Sequence, residues 1–86
     1  MFVDAILDNV AVDLPALTTT LIDGYTVVNG SLVYVKNCSD GAKIGNIYSA
    51  AVTGLDIVWN FVETVDPGNW IYSTYGTIYS ATTIIA

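Results

Sequence analysis

Turn-forming residues recur along the chain at Asp23-Gly24, Asn29-Gly30, Asp40-Gly41, Thr53-Gly54, Asp66-Pro67-Gly68 and Tyr75-Gly76. Glycine reaches positive φ without steric cost, and a neighbouring Asp or Asn bonds back to nearby backbone. Between these breaks lie runs rich in Val, Ile, Thr and Tyr, the side chains that suit a pleated surface. Turn signals about every 8 to 12 residues predict an all-β fold, a small antiparallel β-sandwich or barrel of about six to eight short strands. The whole chain, residues 1–86, reads as one such domain, with residues 1–14 as an N-terminal arm or extra strand.

Asn29-Gly30 is the sharpest local prediction. Both residues tolerate φ > 0, so the pair suits a type I′ turn, whose twist matches that of two flanking strands. A hairpin turning there pairs Val28 with Ser31, Val27 with Leu32, Thr26 with Val33 and Tyr25 with Tyr34. Tyr25, Val27, Leu32 and Tyr34 then share one face, and Thr26, Val28, Ser31, Val33 and Val35 the other. Both faces are largely apolar, which predicts cover on both sides, one by the domain's own core and one by a neighbouring chain. Lys36 reads as a charge on an edge strand, limiting wrong pairing. Residues 44–52 and 57–65 are candidate strands around Thr53-Gly54, residues 70–75 follow the turn containing Gly68, and residues 77–85 alternate. The N-terminal segment is ambiguous. Val3, Ile6, Leu7 and Val10 fit a helical stripe, whereas residues 8–12 suit a strand.

Composition narrows the functional classes. Apolar and aromatic residues make up 53% of the chain and charged residues only 12%. A solvated domain usually carries about 25% charged residues. A chain this small also leaves much of its surface outside. The surplus apolar area predicts burial against other chains, as a homo-oligomer or a lattice contact. The net charge is −6, and Lys36 and Lys43 are the only basic residues. Nucleic-acid binding needs clustered cations to displace counterions from phosphate, and an anionic membrane surface needs the same. Neither is expected here. No apolar run approaches the roughly 20 residues of a spanning helix, and the start of the chain lacks the basic segment of a secretory signal.

The residues offer little catalytic chemistry. There is no histidine and no arginine. The serines have no identifiable basic partner, and the carboxylates are scattered one per turn or strand end. Asp23, Asp40 and Asp66 fit turn roles through side-chain-to-backbone bonds. No metal-ligand spacing and no cofactor motif occurs, so the chain reads as a non-enzyme without cofactors. Cys38 has no partner for a disulfide and reads as a small, partly buried filler. Trp59, Trp70 and the tyrosines admit two readings, as core and interface anchors or as a sugar-binding platform. The first is the usual content of small β domains. Tyr25, Val27, Leu32, Tyr34, Trp59, Trp70, Tyr72 and Tyr79 are the interface candidates. Asp23, Gly24, Asn29, Gly30 and Gly68 are the structural turn residues.

One arrangement extends over most of the chain from about Asp8 onward. Ile22-Asp23-Gly24 is followed by Gly30, by Leu32-Val33-Tyr34-Val35-Lys36-Asn37 and by Gly45-Asn46-Ile47-Tyr48, with Trp59 in the next strand and Gly68-Asn69-Trp70 before the last. This order resembles a small β module of bacteriophage structural proteins, which reads I-D-G, a short strand, G-D-x-V-L-V-K-[DN]-Q, a loop, N-G-I-Y and a tryptophan-containing strand. The chain departs from that pattern at Ser31, where Asp is usual, at Cys38, where Gln is usual, at the inverted Gly45-Asn46, and in having no arginine after the tryptophan. The resemblance implies a non-enzymatic virion protein and brings no catalytic residues with it. A chain of this length, with no shaft or anchor segment, is expected to be a capsid decoration (cement) protein on the outer surface of the head, made in the host cytoplasm. It would contact the major capsid protein or other virion proteins as a homo-oligomer, a trimer by analogy with the three-fold positions of an icosahedral shell. The alternative that the resemblance implies is a tail-fibre or baseplate module binding a host receptor or glycan.

Overall fold

A computed structural model of the chain describes residues 2–66, 68–75 and 83–85. The fold is all-β. Among the described residues, seven strands form two sheets: β1 (Phe2–Val3), β2 (Ala5–Asp8), β3 (Leu32–Asn37), β4 (Asn46–Thr53), β5 (Asp56–Thr64), β6 (Trp70–Ser73) and β7 (Thr83–Ile85). The larger sheet has the order β2-β3-β4-β5 and the smaller the order β1-β6-β7. Pairing is mixed. β3, β4 and β5 run antiparallel to their neighbours in sequence, but β2 lies parallel to β3 and β1 parallel to β6. Of the expected strand over residues 77–85, only Thr83–Ile85 falls within the described residues, paired to β6.

β1 and β2 are one run of chain that changes sheets at Asp4, and a set of short bonds fixes the crossing. The Asp4 carboxylate accepts the Leu32 N–H at 2.8 Å. The Asp4 N–H donates to the Leu32 carbonyl at 2.8 Å, and the Asp4 carbonyl accepts the Tyr75 N–H at 2.8 Å. Asp4 therefore joins β1, the entry to β3 and the segment after β6. The ambiguity of this region in sequence has a physical origin. Ala5, Ile6 and Leu7 are all buried, because β2 is covered on both faces, and a strand buried on both faces shows no alternation.

The chain turns at Asn29-Gly30, but no hairpin forms there. Gly30 has φ +86°, while Asp23 is the only non-glycine among the described residues with positive φ, so Asn29 does not meet the type I′ requirement. The Ser31 N–H donates to the Val28 carbonyl at 3.1 Å, closing a four-residue turn. That turn is tied to β4 instead of to a strand of its own. The Gly30 N–H donates to the Ala50 carbonyl at 2.8 Å, and the Asn29 side-chain oxygen accepts the Val52 N–H at 3.0 Å. Residues 26–28 form no ladder, and β3 takes β2 and β4 as its partners. The backbone conformation expected at Asn29-Gly30 occurs six residues earlier. Asp23 (φ 48°) and Gly24 (φ 75°) are both left-handed, and Ile22 and Tyr25 exchange backbone bonds of 3.0 and 2.8 Å across them.

The face assignment along β3 does hold. Val33 and Val35 join a core cluster with Ala5, Leu7, Ala50 and Ile57, while Tyr34 joins a second cluster with Val3, Ile6, Ile47 and Ile71, and Leu32 packs against it. β3 is thus covered on both faces, and both covers come from this chain. One is the smaller sheet. The other is the connection over residues 9–31, which drops Leu14, Ile22 and Val27 onto the sheet without forming strands of its own. A neighbouring chain is not needed over β3. Lys36 likewise sits at the end of a central strand, not on an edge.

Candidate functional site

The carboxylates that the structure places most clearly have structural work. Asp40 caps the 3-10 turn Gly41–Lys43, its side chain accepting the Ala42 N–H at 3.1 Å. Asp13 receives both 2.9 Å contacts of the Lys43 ammonium and also accepts the Leu14 N–H at 2.7 Å. The bond from Lys43 holds the Asp13 carboxyl below its usual range, and the same bond raises the Lys43 ammonium. Both side chains are partly exposed, so solvent screens the pair. Burial raises the Tyr34 phenol, with Lys36 opposing it. Cys38 is buried and its thiol donates to the Asp40 carbonyl at 2.9 Å. Among the described residues no three side chains of metal-binding type gather at one place, and no helix is long and apolar enough to cross a membrane.

Two outward surfaces of the molecule are apolar and aromatic. The first such surface is β5. It is the outer strand of the larger sheet. Only its start is covered: the Ile57 N–H donates to the Ala16 carbonyl at 2.8 Å, and Leu17 bridges to Asp56. Beyond Ile57 no described residue pairs with its outer edge. Val58, Phe61 and Val62 are exposed there, and Leu55 is exposed in the turn before it. The register shifts between Ile47 and Tyr48 on the β4 side, so a bulge kinks this edge near Phe61.

The second surface is the outer face of the smaller sheet. Alternation along β6 sends Ile71 and Ser73 into the core and Trp70 and Tyr72 outward. Phe2 stands opposite Tyr72 in the parallel pairing, and the two rings stack with centroids 5.1 Å apart. Phe2 is 70% exposed, Trp70 51% and Tyr72 38%. Beside this strip runs a groove of about 280 Å³ lined by Glu63, Val65, Asn69 and Trp70. A separate cavity of about 240 Å³ lies against the edge of β2 under residues 9–23, with Ile6, Leu7 and Ile22 in its wall.

The interface candidates divide across these settings. Trp70 and Tyr72 are on the exposed strip. Trp59 is half-buried, and its indole N–H donates to the Pro15 carbonyl at 2.7 Å. Tyr25 is half-buried, bonded to the Ser31 hydroxyl at 2.8 Å and stacked on Tyr75. Leu32 is half-buried against the second core cluster. Val27 and Tyr34 are buried and serve the core, because residues 9–31 and the smaller sheet occupy the faces a partner would need. Tyr79 lies outside the described residues. Of the turn residues, Asp23, Gly24 and Gly30 have positive φ, as does Gly68 at +93°, and Asn29 fastens its turn to β4. Phe2 and Phe61 were not legible as surface aromatics. The signal available was the alternation of outward and inward residues along a short strand, which residues 70–73 carry but residues 2–3 are too few to show. No known protein family, curated protein or solved structure matches the chain.

Proposed function

We propose that the chain is a non-enzymatic structural protein of a bacteriophage virion, a capsid decoration protein that acts on the outer surface of the head as a homotrimer against the major capsid protein. The resemblance in the order of motifs supports the virion assignment. The observation that carries the binding mode is β5. A nine-residue edge strand with exposed Val58, Phe61 and Val62 is a template for pairing with another chain. Its stretch over residues 57–62 carries no charge, so a partner strand meets no repulsion there despite the acidity of the whole chain. An oligomer that occupies several equivalent lattice sites at once converts weak contacts into firm retention. Contacts made by strand edges and apolar side chains change little with salt.

Mass spectrometry of purified particles, with copy number per virion, tests the assignment, and sedimentation of the purified chain tests the assembly. The expected results are many copies per head and a trimer. Val58→Lys, which places a charge on the open edge, should weaken self-association, and its unfolding midpoint should match that of the parent only at concentrations where the parent is dissociated. Absence from particles, confinement to the tail tip, or a monomer both free and bound would reject the reading.

A further inference from the structure

We infer that the outer face of the smaller sheet, together with the adjoining groove, is a binding site for a neutral saccharide. This goes beyond the capsid reading and does not depend on it. Phe2, Trp70 and Tyr72 share one face of β1 and β6, and all three rings reach solvent. The core does not require them: Val3, Ile71 and Ser73, on the opposite face of the same strands, are the residues buried inside. An aromatic ring carries negative potential on its face. The axial C–H groups of a pyranose are weakly positive and form a flat apolar patch that stacks on such a face, while the hydroxyls around its rim need hydrogen-bonding partners. The groove supplies those partners next to the ring. Trp70 belongs both to the strip and to the groove wall, where Glu63 brings a carboxylate and Asn69 a carboxamide, both exposed. A volume of about 280 Å³ lies near the lower bound of roughly 300 Å³ for small-molecule sites, the scale of a single sugar ring, with the strip continuing past it to hold a second. Charge selects the class. Glu63 lines the groove in a chain of net charge −6, so sulfated and sialylated sugars are repelled and uncharged ones are not.

The two tryptophans provide an internal control. Trp59 is half-buried with its indole bonded to Pro15, and Trp70 is 51% exposed in the groove wall. Nitrogen-15 NMR of the full chain, titrated with cellohexaose, chitohexaose and maltohexaose to about 10 mM, reads both indole signals separately. At least one sugar should shift the Trp70 indole and the Asn69 amide saturably while the Trp59 indole stays in place. Trp70→Ala should lower affinity at least about tenfold, with Phe2→Ala and Tyr72→Ala weakening it less. The remaining amide spectrum of each variant should stay dispersed, since Val3, Ile71 and Ser73, the buried residues of these strands, are kept. The inference is overturned if none of the three sugars gives a saturable shift, or if Trp70→Ala binds as well as the parent. It is equally overturned if Trp70→Ala abolishes a concentration-dependent association of the chain, because a second copy then occupies the strip. None of these results bears on whether the chain is found in virions.

Discussion

Removing the Asp4 carboxylate should loosen the joint between the two sheets by an amount that the structure fixes. Its Oδ2 accepts the Leu32 N–H at 2.8 Å from a half-buried position, at the point where β1 passes into β2. Leu32 opens β3, and its own carbonyl is occupied by the Asp4 N–H. Asp4→Ala leaves the Leu32 N–H without an acceptor in a packed setting, at a cost of about 1–3 kcal/mol. Asp4→Asn keeps an oxygen of the same reach but loses the charge. A charge-assisted bond is roughly twice as strong as a neutral one, so this change should cost about 0.5–1 kcal/mol. For a domain of this size, about 2 kcal/mol corresponds to a fall in Tm of about 8–16 °C. Urea unfolding followed by tryptophan fluorescence measures both variants, and native-state hydrogen exchange locates the effect. The order should be parent, then Asn, then Ala, with the Leu32 amide losing protection in Asp4→Ala beyond the global change. If Asp4→Ala unfolds within about 0.5 kcal/mol of the parent, or if Asn is as damaging as Ala, the carboxylate does not fasten the sheets and the reasoning fails.

Three further outcomes are expected. Gly30→Val should destabilise by about 1–2 kcal/mol in urea unfolding, and conformation alone should account for it: φ is +86° and an added Cβ meets nothing within 4 Å. Ile71→Ala removes a fully buried side chain that seats the smaller sheet on the larger, and should cost about 2–5 kcal/mol, a large share of the stability of so small a domain. A double-mutant cycle between Asp13 and Lys43 should give a coupling of about 0.5 kcal/mol or less that fades with salt. The signs of its pH dependence follow from the shifts. The lowered Asp13 contributes stability above the unfolded carboxylate value and loses it as pH falls through the folded one. The raised Lys43 contributes below its unfolded value and loses it as pH rises through the folded one. The coupling should therefore be flat between about pH 5 and pH 9.

The sequence displayed its turns and strand runs well and its pairings poorly. Periodicity is a local property, and β4, β5 and β6 are local objects: their residue runs and the glycines between them can be read directly. Which strand lies beside which depends on distant residues. β3 acquires a parallel neighbour from the start of the chain, and nothing in residues 32–37 announces that Ala5, Ile6 and Leu7 will lie alongside. The Asn29-Gly30 prediction failed for a related reason. A dipeptide that permits positive φ twice does not require it, and here the bond from the Gly30 N–H to the Ala50 carbonyl and that from the Val52 N–H to the Asn29 side chain settle the turn onto β4, with Asn29 outside the left-handed region. Asp23-Gly24, with the same chemistry, takes the conformation because Ile22 and Tyr25 close directly across it.

The candidate surfaces were half legible for a different reason: composition tells how much apolar area a chain has, not where it goes. The surplus is evident in the composition, but the strand faces expected to carry it are sealed by residues 9–31 and by the smaller sheet. Part of it resurfaces on β5 and on Phe2, Trp70 and Tyr72, and part on Val10, Leu17, Leu21 and Val28 of the covering connection. These two surfaces meet at Glu63, which is both near the end of β5 and in the wall of the groove. A strand added along the whole of β5 would reach that wall, whereas one confined to the stretch around Val58 would leave the groove open. Position therefore decides which substitution isolates which surface. Val58 lies at the far end of β5 from Glu63, so a charge there acts on edge pairing, and Trp70 lies outside β5, so its truncation acts on the aromatic strip and the groove. If both surfaces work, the two variants should act independently: Val58→Lys leaving sugar-induced shifts at Trp70 intact, and Trp70→Ala leaving the sedimentation of the assembly intact. If each variant disturbs both measurements, the two surfaces are one interface, and a protein chain, not a saccharide, covers it.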